Sequence, residues 1–219
     1  MKKRLLIALI LLLLLSTYNI QNNIIFFTNL NIKKITIKNN NIIKEVQIKT
    51  QLSFLYEKNI FFINTRKIES KLAELDFIDS YKIKKIYPNE LNIKIYEKKP
   101  IAIIHNKKEK NFYTDKGEII SYIDLNKFKD LPLVYGDHKN FTLFYKTLQN
   151  INFPINEIDK FYLFEAKRWD IVTNKNQTIK LPIKNYKESL KNFNKIKEQR
   201  NFERYKTFDY RINEQLILK

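Results

Sequence analysis

Few residues of this 219-residue chain could do covalent or metal chemistry. There is no cysteine, which removes disulfides, thiolate nucleophiles and thiolate metal sites together. His105 and His138 are the only imidazoles; they lie far apart in sequence, neither falls in a metal-ligand spacing, and both are read as structural or surface residues. Asp76 and Asp79 form a candidate carboxylate pair, yet they occupy a passage from helix to strand, where acidic side chains commonly satisfy turns. No serine stands in a nucleophile elbow. With Gly117 and Gly136 the only glycines, a glycine-rich phosphate loop is excluded. Asn140-Phe141-Thr142 and Asn176-Gln177-Thr178 fit the glycosylation pattern, which an asparagine-rich chain produces readily by chance. No catalytic residue, metal or cofactor is therefore expected, and the chain reads as a binder. The remaining candidate chemistry is backbone pairing near the C-terminal end. Phe208, Tyr210, Ile212, Leu216 and Leu218 all fall on even positions, opposite Asp209, Arg211, Asn213 and Gln215, which predicts one eleven-residue strand, apolar on one face.

The elements that would position that strand begin at a membrane. Lys2, Lys3 and Arg4 precede Leu5 to Leu15, an unbroken apolar run behind a positive head. A full span wants about 20 apolar residues, which Tyr18, Ile20 and Ile24 to Phe27 would supply despite interrupting asparagines. Ser16-Thr17-Tyr18 is a poor small-residue cleavage site, so an uncleaved anchor over 5–27 is favoured over a cleaved signal peptide. Residues 1–4 would stay in the cytoplasm, and roughly 190 residues would lie across the membrane.

The net charge of +18 invites a nucleic-acid reading, because lysine and arginine clusters bind phosphate without sequence preference. Here the lysines are scattered among asparagine and isoleucine along every element, with no basic block or recognition helix, and a solvated lysine-rich surface accounts for them. A hydrophobic fraction of 44% is enough to build cores, so the chain should fold.

Ile35 and Ile37 alternate with polar neighbours and predict a first strand before the turn Asn39-Asn40-Asn41. Ile48, Leu52 and Leu55 predict a helix over Lys44 to Tyr56. Ile68, Leu72 and Leu75 predict a second helix, with Asn64-Thr65 at its start. The period then drops to two. Tyr81, Ile83 and Tyr87 share a face, as do Leu91, Ile93 and Ile95 beyond a turn at Pro88-Asn89. The order strand, helix, helix, strand, strand makes a compact α+β unit.

Pro100 marks a boundary to a second domain. There Thr114-Asp115-Lys116-Gly117 predicts a hairpin turn, Leu131 to Tyr135 a strand ending at Gly136, and Phe144, Leu148 and Ile151 a helix closed by Pro154. Trp169, Ile171 and Thr173, then Ile179 and Leu181 beyond Lys175-Asn176, predict a second hairpin. Tyr186, Leu190 and Phe193 predict a further helix.

Several of these segments, in this order, resemble the FtsQ/DivIB cell-division family. Asn59-Ile60-Phe61-Phe62-Ile63-Asn64 is similar to the family's lead into the second helix of its POTRA domain, and Leu75 to Ser80 to its helix-to-strand passage. Tyr87-Pro88-Asn89-Glu90-Leu91 resembles its hairpin with a proline turn. Glu97-Lys98-Lys99-Pro100-Ile101-Ala102 resembles the acidic-basic-x-Pro-x-Ala exit from that domain, Thr114-Asp115-Lys116-Gly117 the Asp-x-x-Gly hairpin at the start of the family's β domain, and Phe208-Asp209-Tyr210-Arg211 its terminal Asp-x-Arg strand. Asn59 stands where the family often has Gly, and Asn64 where it often has Asp; asparagine tolerates left-handed backbone and can cap a helix.

The resemblance implies an α+β protein with an N-terminal transmembrane helix, a POTRA domain over 30–98 and an FtsQ-type β domain over 99–219, its sheet mostly antiparallel with flanking helices. It implies a non-enzymatic, single-pass inner-membrane scaffold at midcell, with most of the chain periplasmic. Its partners would be FtsB and FtsL-type divisome proteins, with no nucleic acid and no small-molecule substrate. The partner-binding positions carried over are Tyr210, Arg211, Ile212, Asn213 and Glu214, on a terminal strand expected at a sheet edge. Another POTRA-bearing envelope assembly or secretion adaptor is the alternative reading. Such proteins usually carry several POTRA repeats or a barrel, which the remaining roughly 120 residues do not accommodate.

Overall fold

A computed structural model describes residues 2–16, 30–106, 109–197, 199–212 and 215–219. The chain divides into two compact units, Met1–Glu97 and Lys98–Lys219. At the N-terminus, α1 (Lys2–Ser16) is 15 residues long, and no described helix is long and apolar enough to cross a membrane. The rest of the expected 5–27 span lies outside the described residues.

The first unit has the predicted order. A three-stranded sheet runs β1 (Lys34–Lys38), β3 (Glu90–Glu97), β2 (Ile78–Ile86) from edge to edge, with β1 parallel and β2 antiparallel to β3. Parallel pairing of β1 with β3 requires a crossover, and the two helices provide it. Leu91, Ile93 and Ile95 make β3 the apolar centre, each fully buried with Ile48, Leu52, Ile60 and Ile68. The first helix is shorter than expected: α2 (Glu45–Gln51) gives way to a tighter turn at Ser53–Leu55. In the second, α3 (Thr65–Ala73), the Asn64 side chain accepts a hydrogen bond from the Lys67 N–H at 3.1 Å. Ile68 and Leu72 face inward, and Leu75 lies past the helix end. Asn59 is not left-handed; its backbone is extended, φ −64° and ψ 128°, and its side chain caps the Ile60–Phe62 turn. Glu97 closes the unit by accepting from the N–H groups of Asn41, Ile42 and Ile43 at 3.0, 2.8 and 2.9 Å. That gives the first residue of the Glu97–Ala102 segment a structural duty.

In the second unit the strands are β4 (Pro100–Asn106), β5 (Glu109–Thr114), β6 (Ile119–Ser121), β7 (Leu133–Tyr135), β8 (Ile158–Leu163), β9 (Trp169–Thr173), β10 (Thr178–Lys180), β11 (Thr207–Asp209) and β12 (Ile217–Leu218). They form one mixed sheet in the order β12-β11-β10-β9-β8-β7-β4-β5-β6. The β11–β10, β8–β7 and β7–β4 pairings are parallel and the other five antiparallel. Sequence periodicity missed two of these strands. Ile101 to Ile104 in β4 is a continuous apolar run, as a strand buried on both faces should be, and β8 buries Ile158 and Phe161 without alternation.

A single row of partners crosses the sheet: Ile104, Val134, Phe161, Ile171, Ile179, Phe208 and Leu218. The first six are at most 1% exposed. On this face pack α4 (Phe141–Asn150) and α5 (Tyr186–Ile196), through Phe141, Phe144, Leu148, Leu190 and Phe193. Phe144 stacks on Trp169 at 4.7 Å between ring centres, and Phe193 meets Phe208 edge-on at 4.9 Å. Gly136 ends β7 at φ +95°, where a Cβ would lie 2.1 Å from the Leu163 carbonyl oxygen.

Candidate functional site

The candidate residues sit at one end of this sheet, but not on one long strand. The even-numbered alternation from Phe208 to Leu218 is broken: β11 stops at Asp209, and β12 returns antiparallel, pairing Phe208 with Leu218 and Asp209 with Ile217. The expected eleven-residue strand is thus two short ones. An unbroken strand was expected because alternation ignores where the chain turns. Phe208 and Leu218 share a face because they are cross-strand partners, not because they are ten residues apart. The edge also moves. β11 is paired on both sides, by β10 and by β12, so the sheet ends at β12 among the described residues.

Thr207 and Lys219 exchange backbone hydrogen bonds, the Thr207 N–H donating to Lys219 at 3.0 Å and the Lys219 N–H to Thr207 at 3.1 Å. Antiparallel alternation then turns the N–H and C=O of Leu218 outward, away from β11. Leu216 and Leu218 rest against the core while Ile217 faces the other side, 38% exposed.

The carried-over positions separate into different roles. Tyr210 is buried, its N–H donates to the Lys180 carbonyl at 2.9 Å, and its hydroxyl donates to Asn192 Oδ1 on α5 at 2.9 Å. Burial pushes the Tyr210 phenol well above its ordinary pKa. Arg211 folds back on Asp209, with Nε 2.8 and 2.9 Å from the two carboxylate oxygens and Nη2 2.6 Å from Oδ2. The Arg211 guanidinium, then its backbone N–H, holds the Asp209 carboxyl below the usual carboxylate range. The Asp-x-Arg pattern therefore clamps the chain as it leaves β11. Ile212 is 52% exposed. Asn213 and Glu214 lie outside the described residues.

A charged row backs this end on the sheet face opposite the helices. Asp170, Lys180 and Asp209 are register partners on β9, β10 and β11, flanked by Arg168 and Arg211. Burial pushes the Asp170 carboxyl up, against the hydrogen bonds Arg168 gives it at 3.1 and 3.4 Å.

Beside the edge runs an open groove of about 520 Å³ between α5 and the segment after β11. Tyr210, Ile212, Gln215 and Leu216 form one wall, and Glu188, Asn192 and Lys195 contribute the other. Sequence reading did not find it, because α5 and the terminal segment meet only through the fold. No cluster of groups able to hold a metal occurs among the described residues. His105 lies against the Tyr135 ring and His138 against Tyr113, each in a separate aromatic contact.

A strand–helix–helix–strand–strand unit followed by a helix-covered mixed sheet defines a POTRA-bearing protein with a C-terminal sheet domain. The POTRA domain, FtsQ-type, family matches residues 30–98, and the family described as cell division protein FtsQ/DivIB, C-terminal, matches residues 102–211. The chain is similar to the cell division protein FtsQ of Rickettsia typhi, 27% identical over 184 residues, 82% of this chain and 69% of that protein. It is similar also to FtsQ of Rhizobium radiobacter, 25% identical over 122 residues, covering 55% of this chain and 58% of the relative. With FtsQ of Rhizobium meliloti the identity is 21% over 155 residues, 70% of this chain and 50% of the relative. The chain thus spans about half the length of the two rhizobial proteins. The chain belongs to the FtsQ/DivIB family of cell division proteins.

Proposed function

We propose that this protein is a non-enzymatic, single-pass inner-membrane scaffold of the divisome. It recruits and links division proteins at the septum and holds an FtsB/FtsL-type partner at the C-terminal end of its sheet. The observation that carries this is the outer edge of β12 beside the α5 groove, unpaired among the described residues. An extended partner segment adds a strand there by main-chain hydrogen bonds, and its alternate side chains are read by the groove. Tyr210, Arg211, Ile212, Asn213 and Glu214 act as the shoulder of that site. Tyr210 and Arg211 fix the path of the chain, and Ile212 offers exposed apolar surface to the partner.

Membrane anchoring by residues 5–27 is part of the same reading. Leu5 to Leu15 bear exposed apolar side chains on every side of α1, with the leucines and isoleucines 50–71% exposed. Such a helix suits lipid rather than water. Extension to Phe27 gives a length of about 35 Å, enough to cross the hydrocarbon core.

The test is Leu218→Pro in the full-length membrane protein. Proline at an edge position whose N–H points outward leaves the β11–β12 bonds in place and removes the donor offered to the partner. Capture of an FtsB-type partner from membrane extracts should fall at least about tenfold, the change produced by losing roughly 1.4 kcal/mol, with membrane integration unchanged. Capture equal to the parent would refute edge pairing.

A further inference from the structure

We propose that the Phe61–Phe62 turn of the POTRA unit is a lipid-contact face that lies against a bilayer surface containing anionic lipid. The inference rests on the membrane-anchor reading above.

Within the turn, Ile60 is fully buried and holds the segment to the core, while Phe61 and Phe62 are 53% and 85% exposed. Asn59 Oδ1 accepts from the Phe61 N–H at 2.9 Å, which caps the turn and holds its backbone. Tyr87, 55% exposed at the tip of the β2–β3 hairpin, stacks on Phe61 with ring centres 5.1 Å apart. Phe61 and Tyr87 thus form one exposed stacked pair with a polar hydroxyl at its margin, and exposed Phe62 follows next in the same turn. Such amphipathic aromatics favour the boundary between headgroups and acyl chains.

The occupant is indicated by where the chain enters this unit. The Ile60 N–H donates to the Leu30 carbonyl at 2.9 Å, Asn31 bridges to Asn59, and the Lys33 N–H donates to the Asn89 carbonyl at 2.9 Å. The entering chain is therefore bonded both to the aromatic turn and to the start of β3 just beyond the hairpin tip. From Phe27, the last residue of the proposed span, to Leu30 is three residues, a reach of at most about 10 Å. Any fold of those residues keeps this patch near the membrane surface.

The charge agrees. Lys85 Nζ lies 3.4 Å from the Phe61 carbonyl oxygen, and exposed Lys58 and Arg66 flank the turn in the chain. Each basic residue near an anionic surface favours contact by about fivefold.

The natural absence of cysteine allows a single reporter. Thr65→Cys, on the exposed first turn of α3, carries an environment-sensitive fluorophore in the full chain reconstituted into vesicles. With phosphatidylglycerol present, the label should shift to the blue and be quenched by lipids brominated near the headgroup. Phe61→Ser with Phe62→Ser should reduce that contact about tenfold or more. Phe62→Ser alone, at a side chain that packs on little, should show a smaller loss in the same direction. Quenching that is absent in vesicles retaining the protein after carbonate washing overturns the proposal and leaves the anchor standing. Quenching of equal strength in pure phosphatidylcholine overturns the anionic-lipid assignment, and a blue shift without quenching assigns the face to a protein neighbour instead. Loss of the protein on carbonate washing overturns the anchor reading and this one with it.

Discussion

Phe208→Ala and Ile212→Ala together test where the terminal alternation stops. Both residues are even-numbered apolar positions of the same stretch, and an unbroken strand would make them equivalent. In the structure Phe208 is fully buried between Ile179 and Leu218 and edge-on to Phe193 at 4.9 Å, whereas Ile212 is 52% exposed. Truncating a buried phenylalanine removes its transfer free energy and leaves a cavity, about 3–5 kcal/mol. Removing a half-exposed side chain outside any strand costs within about 0.5 kcal/mol. The assay is urea unfolding followed by the fluorescence of Trp169, the only tryptophan, which lies in the same core as Phe208. With a urea slope of about 1.5 kcal/mol/M, the Phe208 variant should move the midpoint down by about 2–3 M and the Ile212 variant by less than about 0.4 M. Equal losses for the two would refute the broken-strand reading, as would a loss under about 1 kcal/mol for Phe208→Ala.

The two aspartates of the charged row should respond to acid with opposite sign. The folded-state pKa of Asp209 is depressed, so its stabilisation is present above the unfolded value near 4 and lost as pH falls through the folded value; Asp209→Asn should be less stable at neutral pH, with the deficit vanishing in acid. Burial raises the Asp170 pKa, so relative to the parent Asp170→Asn should gain stability as pH rises above about 4, read by thermal melts across that range. Gly136→Ala places a Cβ 2.1 Å from the Leu163 carbonyl oxygen at φ +95°, and a loss of about 3 kcal/mol or more is expected in the same Trp169 assay. Glu97→Ala deprives the Asn41, Ile42 and Ile43 N–H groups of their acceptor, costing about 1–3 kcal/mol, and exchange of those three amides should accelerate first.

Much of the architecture could be read directly from periodicity. The three-four spacing of Ile68 and Leu72 and the two-spacing of Leu91, Ile93 and Ile95 mark elements with one buried face, which is the condition under which periodicity carries information. It failed at β4, where Ile101 to Ala102 to Ile104 is apolar throughout because the strand is interior. It failed again between Phe208 and Leu218, where two separate strands happened to keep one parity. The Glu97–Ala102 segment carried a family resemblance without revealing what its residues do; in this chain Glu97 gathers three N–H groups and Ala102 is fully buried.

The sequence by itself determined the elements with one buried face, the lack of thiol and glycine-loop chemistry, the apolar head and the family resemblance, because these depend on residue identity and local spacing. Only the tertiary structure decided that Phe208 is interior, that among the described residues the sheet ends at Ile217–Leu218, that Asp209 and Arg211 clamp the chain as it leaves β11, and that α5 supplies the facing wall of the groove. These features arise from pairings between segments distant in the chain. Which strand lies at an edge is set by what folds beside it, and no window of sequence contains its neighbour.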